Sequence, residues 1–196
     1  MITLKQFNDI KNKYGHCSSF AVWAEVGDTP KSNTGDLSVL DPDINKELLS
    51  ILNVDVVLLG LNGSRVVDPE STAPPLSIFH SWTSFQQDYK IRYAFKGSPY
   101  WGAYMTDIIK HYGEVDSTKT MEYLKRNKEY EQENIRFFEQ ELLDIGATNP
   151  TLIAFGNDVH NILTRNLKDK YKILKVPHYA HFINKDTYRE IVQQLP

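Results

Sequence analysis

The sequence predicts an α/β fold: a three-layer α/β/α sandwich around a four-stranded, mainly parallel sheet, in one domain over residues 1–196. Three observations carry this. Short β-branched, apolar runs alternate with longer stretches whose apolar positions recur every three or four residues, the pattern of strands joined by crossover helices. The clearest run, Val54 to Gly60, is apolar apart from Asp55, as expected of a strand covered on both faces. The 196 residues, 41% hydrophobic and 24% charged, form an ordinary globular composition, neither disordered nor fibrous.

In chain order, Thr3 to Tyr14 reads as a helix, with Thr3 as N-cap and Leu4, Phe7, Ile10 and Tyr14 on one face. Phe20 to Val26 suits a strand, and Gly27 to Gly35 a loop rich in Gly, Pro, Ser and Asn. Asp41 to Leu52 reads as a helix: Asp41 caps it, Pro42 takes the first position, and Ile44, Leu48, Leu49 and Leu52 form its stripe. The Val54 strand runs into Gly60-Leu61-Asn62-Gly63-Ser64, and Asp68 to Pro75, with three prolines, is irregular. Ala103 to Lys110 suits a second strand. Asp116 to Gly146 is helical, opening on a cap and closing on a glycine. Its stripe falters near Lys128 and Glu131, which divides it into two helices. Thr151 to Gly156 is a covered strand, and Asn157 to Lys168 a helix with Val159, Ile162 and Leu163 inward. Lys172 to Val176 is the last strand, ending at Pro177-His178, and Asn184 caps a final helix to Leu195.

No apolar run approaches the roughly 18 residues of a membrane span. The start, Met-Ile-Thr-Leu-Lys, lacks the basic and apolar parts of a secretory signal, so a cytoplasmic protein without membrane partners is expected. The single cysteine, Cys17, excludes an internal disulfide and a cysteine-built metal site, and is expected in the core. The six histidines are scattered, and none pairs with a carboxylate at a ligand-like helical spacing, so no metal and no cofactor is expected. Net charge is −3, from 22 basic and 25 acidic residues, which excludes a histone-like or ribosomal-like chain. Residues 114–149 hold nine acidic and five basic residues, and residues 150–196 four acidic and seven basic. An anionic ligand would therefore meet the C-terminal quarter more readily, although a solvated surface accounts for the same counts.

In parallel α/β sheets the ligand site lies beyond the carboxyl ends of the strands. Unusual residues stand at those ends here: Asn62-Gly63-Ser64, Thr106-Asp107, Gly156-Asn157-Asp158 and His178-Tyr179-Ala180-His181. The set resembles the uracil-DNA glycosylase superfamily over residues 54–182. Gly60-Leu61-Asn62-Gly63-Ser64 stands for the family's Gly-Leu/Ile-Asn-Pro-Gly, Tyr104-Met105-Thr106-Asp107 for its base-reading Thr-Asn pair, and His178-Tyr179-Ala180 for its His-Pro-Ser. Leu152-Ile153-Ala154-Phe155-Gly156-Asn157 looks like the third strand of that fold. Gly63 replaces a proline, Asp107 an asparagine, and Tyr179-Ala180 a Pro-Ser.

The resemblance implies hydrolysis of a base–sugar bond in DNA, a repair activity. Asn62 would place a water at the anomeric carbon, Gly63 would let backbone approach the ligand, and the Gly63 and Ser64 amides would hold an anion. His178 would stabilise negative charge on the departing base, as imidazole or imidazolium. Phe79 would stack on the base, with His80 beside it. Arg65, Lys90 and Arg92 would meet phosphate, and Phe182, beside His181, would wedge into the duplex. An asparagine offers the base edge one donor and one acceptor. Ionised Asp107 offers only acceptors, which suits guanine's ring N–H and amine and repels uracil's O4. The expected substrate is thus a modified or mismatched base other than uracil.

Each residue also has a plainer role open to it. Asn62-Gly63 would form a tight turn, and His178 would bond a loop carbonyl. Asp107 would cap a turn or pair with Lys110 or Arg92. Phe182 would pack under the last helix, the expected one of its two roles. The rival functions are a non-catalytic binder of a nucleobase, nucleotide or nucleic acid on the same fold, and a protein-interaction domain with a vestigial pocket. The sequence leaves the oligomeric state and strand order open.

Overall fold

The computed structural model describes residues 2–63, 73–81, 83 and 86–196; the expected site residues Ser64 and Arg65, and most of the proline-containing stretch after them, lie outside these. The elements are α1 (Leu4–Tyr14), β1 (Ser18–Phe20), a 3-10 turn (Leu37–Leu40), α2 (Leu48–Ile51), β2 (Asn53–Asn62), α3 (Tyr89–Phe95), β3 (Ala103–Ile109), α4 (Ser117–Arg126), α5 (Lys128–Asp144), β4 (Thr151–Phe155), α6 (Asn157–Leu167), β5 (Ile173–Val176) and α7 (Lys185–Gln193).

The sheet has five strands in the order β1-β3-β2-β4-β5. β3, β2, β4 and β5 are mutually parallel, and β1 runs antiparallel along β3. The fifth strand corrects the expected four. It also corrects the strand expected over Phe20 to Val26. Ladder pairs run from Ser18 to Phe20, Ala21 still bonds the Ala103 carbonyl and the Gly102 N–H at 2.8 and 2.9 Å, and the Val22 N–H then turns back onto the Phe20 carbonyl at 2.7 Å.

Alternate residues of β2 enter two cores. Val57, Leu59 and Leu61 join Phe7 and Ile10 of α1, Phe138 and Leu142 of α5, and Ile162 and Leu163 of α6. Val56 and Leu58 join Ile91 and Phe95 of α3 and Tyr188 and Val192 of α7. Period-two alternation with both sets buried requires cover on both faces of the sheet. Each such side chain taken from water stabilises the fold by about 1.5–3 kcal/mol. Among the described residues, no helix is long and apolar enough to cross a membrane.

Capping sets the helix boundaries. Thr3 and Gln6 form a reciprocal capping box on α1, and Asn184 accepts the Asp186 N–H to start α7. Asn127 separates α4 from α5 and donates to the Tyr123 carbonyl. The stripe falters at Glu131 because that carboxylate is buried and bonded to Arg165 Nε at 2.7 Å and Asn166 Nδ2 at 3.0 Å, tying α5 to α6. The helix expected over Asp41 to Leu52 is a correction: only Leu48–Ile51 is α-helical. Asp41 Oδ1 accepts the Asp43 N–H, Asn45 Nδ2 reaches back to the Val39 carbonyl, and Ile44, placed in the apolar stripe, is exposed. Short polar side chains here bond the local backbone in turns and displace the helix.

Candidate functional site

The parallel strands direct their carboxyl ends to one side, and the segments leaving them border an open cleft of about 1130 Å³. That is room for a nucleoside, not merely for a water. Asn62, Asp107 and His178, from three separate strand ends, all line it, as do Gly63, Phe79 and His181.

Asp107 lies in register with Gly60 of β2. A Cβ on Gly60 would stand 2.1 Å from Asp107 Oδ1 and 3.2 Å from Phe79 Cζ, so the bare backbone there is what gives the carboxylate and the ring their places. Phe79 adopts a left-handed φ of 62°, unusual for a bulky side chain, and packs near Phe155. It is nearly buried and forms a wall of the cleft. The Asp107 carboxylate makes no hydrogen bond or ion pair among the described residues. It pairs with neither cation considered for it. Lys110 is bound to Glu141 at 3.0 Å, and the Arg92 guanidinium donates to the Ala24, Ser32 and Pro30 carbonyls. Burial pushes the Asp107 carboxyl up to about 6, with Glu141 and Asp88 acting the same way and Lys110 opposing.

His178 Nδ1 accepts the Ala180 N–H at 3.1 Å, so the ring proton sits on Nε2. Burial, aided by His181 and opposed by Asp158, holds the imidazole down to about 4. The neutral ring is thereby favoured at neutral pH, with Nε2–H as its donor. Tyr179 stacks on it with ring centroids 4.5 Å apart. Gly156, with φ 93°, leaves a contact of only 3.3 Å between a hypothetical Cβ and His178 Cβ.

Asn62 behaves differently. Its Nδ2 donates to the carbonyls of Gly63, Tyr112 and Glu114 at 3.1, 2.9 and 2.8 Å, fastening the segment after β3 to the end of β2. Among the described residues, its Oδ1 accepts only a long bond, 3.5 Å, from Thr120. The tight-turn alternative understates this role, because two of the three carbonyls, those of Tyr112 and Glu114, lie some fifty residues away.

Three expectations are corrected. Lys90 and Arg92 do not face a phosphate: both are buried, and Lys90 Nζ donates to the His181 and Ile183 carbonyls at 3.2 and 3.1 Å. His80 is no cleft partner of Phe79. It is buried against Trp23 with Nε2 on the Phe20 carbonyl. Phe182 does not pack under α7. The Ile183 N–H closes onto the His181 carbonyl at 2.7 Å, and this turn leaves Phe182 fully exposed. His181 beside it is exposed as well.

Sequence reasoning gave Asp88 no role of its own. It is buried, lines the cleft, accepts the Ser81 N–H at 2.8 Å, and is raised by burial to about 6. Its place just before α3 reads as a cap, yet it makes no capping bond. Among the described residues, no cluster of three His, Cys, Asp or Glu side chains could hold a metal ion. Cys17 is buried in the fold.

The comparisons with known proteins give no relative. The chain matches no family model, no curated protein and no solved structure. Its site is therefore read from its own residues.

Proposed function

We propose that the cleft takes a nucleobase. In this reading the chain is a DNA glycosylase-like hydrolase with a uracil-DNA glycosylase-like sandwich, and it cleaves the N-glycosidic bond of a modified or mismatched base without preferring uracil. The observation that carries the reading is the meeting of Asn62, Asp107 and His178 around one open cleft. Water attacks the anomeric carbon, the carbon–nitrogen bond breaks, the base leaves with the electron pair, and the proton released by the water passes through solvent to the departed base. The neutral His178 Nε2–H donates to an oxygen of the departing base, where charge develops. Asn62 Oδ1, held by the bonds of its own amide nitrogen, is the acceptor that orients the water. Asp107 faces the base edge and Phe79 flanks it. Exposed Phe182 is the wedge beside the cleft.

A second reading, a non-catalytic nucleobase or nucleic-acid binder, is favoured by one observation: the Asn62 amide already has a full structural task. Oligonucleotides carrying uracil, hypoxanthine, xanthine or a mismatch, incubated with the protein and then cleaved at abasic sites, separate the two. Scission at a base other than uracil, slowed about 100-fold or more in His178→Gln, is the result expected of the enzyme. Retention of DNA with a steep salt dependence and no scission marks the binder. Neither binding nor scission removes both.

A further inference from the structure

We propose that Asp107 selects the base by its own charge state: the ionised carboxylate takes a guanine-type edge, and the protonated carboxyl takes an amide edge such as that of hypoxanthine. This rests on the nucleobase reading of the cleft. The Asp107 side chain stands against the bare Gly60 backbone, borders the open cleft and has no hydrogen-bond partner among the described residues, so its oxygens are available to a ligand. Carboxylates elsewhere in the interior differ. Glu131 is bonded to Arg165 and Asn166, and Glu141 to Tyr104, Thr106 and Lys110.

The groups around Asp107 come from every neighbouring element. They are Lys110 at the end of its own strand, Glu141 of α5, Asp88 before α3, Tyr179 after β5 and Cys17 before β1. His16 and His178 line the same cleft, and His111 lies beside Asp107 and Lys110 at a small void. Lys110, the cation that acts on Asp107, is matched by Glu141, and Asp88 adds a like charge. Burial, with these charges acting on it in both directions, raises the carboxyl to about 6, where a modest change of pH exchanges its two forms.

The two forms present different hydrogen-bond patterns. Two acceptors complement the adjacent ring N–H and exocyclic amine of guanine and confront the oxygen of any other amide edge. One donor and one acceptor complement the ring N–H and carbonyl that hypoxanthine, xanthine and uracil share with guanine itself. The proton is exchanged with solvent, and no bond of the ligand changes.

Guanosine and inosine differ only in the 2-amino group, so their calorimetric titration at about pH 5 and about pH 7.5 isolates the effect. With a group titrating near 6, the protonated fraction at the higher pH is on the order of 3%, so inosine is expected to weaken about 30-fold between the two conditions. Guanosine presents its ring N–H and amine to the ionised form and its ring N–H and carbonyl to the protonated form, so it is expected to change by less than about threefold. Asp107→Asn, with a fixed donor and acceptor, is expected to bind inosine equally at both pH values and to lose the preference for guanosine at the higher pH. If both nucleosides bind with a ratio that pH does not move, or the variant keeps the wild-type profile, the charge-state selection is wrong while the nucleobase cleft stands. If neither nucleoside binds wild type or variant at either pH, the nucleobase reading fails and takes this inference with it.

Discussion

At Gly60, a methyl group would meet the Asp107 carboxylate at 2.1 Å and the Phe79 ring at 3.2 Å, with no room for either to stay in place. Gly60→Ala is therefore expected to destabilise the fold by about 1–3 kcal/mol, as overpacked interiors do, and to weaken nucleoside binding further than the stability loss alone accounts for. Urea unfolding and calorimetric titration of one preparation check both; intact binding would mean that Asp107 and Phe79 do not form the ligand wall. At this scale the sequence exposes Asp107 and His178, because a polar residue at the end of a covered strand has few roles in the core. It conceals Asp88, whose position before α3 imitates a cap, and the task of Asn62, whose acceptors are backbone carbonyls that no side-chain pattern reveals.

The loop after β5 shows how an element is positioned by another far away in the chain. His178 O accepts the His181 N–H, His181 O accepts the Ile183 N–H, and the buried Lys90 of α3 holds the His181 and Ile183 carbonyls from beneath. Phe182 is left outside with no packing to lose. Phe182→Ser is expected to change unfolding free energy by no more than about 0.5 kcal/mol, the usual range for surface substitutions. It is also expected to weaken duplex binding while leaving nucleoside affinity as it was. Equal affinity for duplex in both proteins, by fluorescence anisotropy, would remove the wedge.

Lys90→Met leaves the two carbonyls without their donor, and is expected to lower nucleoside and duplex affinity together. Elements held by local rules are legible: the cap at Thr3, the covered runs of β2 and β4, and the Asn184 start of α7 all follow from neighbouring residues. Between Asp41 and Leu52 two local rules compete. The apolar spacing favours a helix, while Asp41 and Asn45 bond the backbone in turns and keep the chain out of it. At β1, the boundary depends on the long-range partner β3, which hydropathy does not encode.

Over the whole molecule, buried ionisable groups oppose one another in the acid range. Burial raises Asp88 and Asp107 from 3.8 to about 6, so in the folded state they keep protons that the unfolded chain has released. Their contribution is present below pH 3.8 and is lost as pH rises through 6. Burial lowers His80 and His178 from 6.5 to about 4, and their contribution is present above pH 6.5 and lost as pH falls through 4. Between these limits two protons held on carboxyls offset two withheld from imidazoles, and His16, also lowered by burial, adds to the histidine side. Wild-type stability is thus expected to rise only gently with pH across this window. Asp107→Asn removes one opposing proton, so its unfolding free energy is expected to climb more steeply, by about 1.4 kcal/mol per pH unit. Urea melts of both proteins at several pH values between about 4.5 and about 5.5 measure the difference in slope. Parallel curves would place the Asp107 titration outside the window and deprive the cleft of its proton-dependent edge.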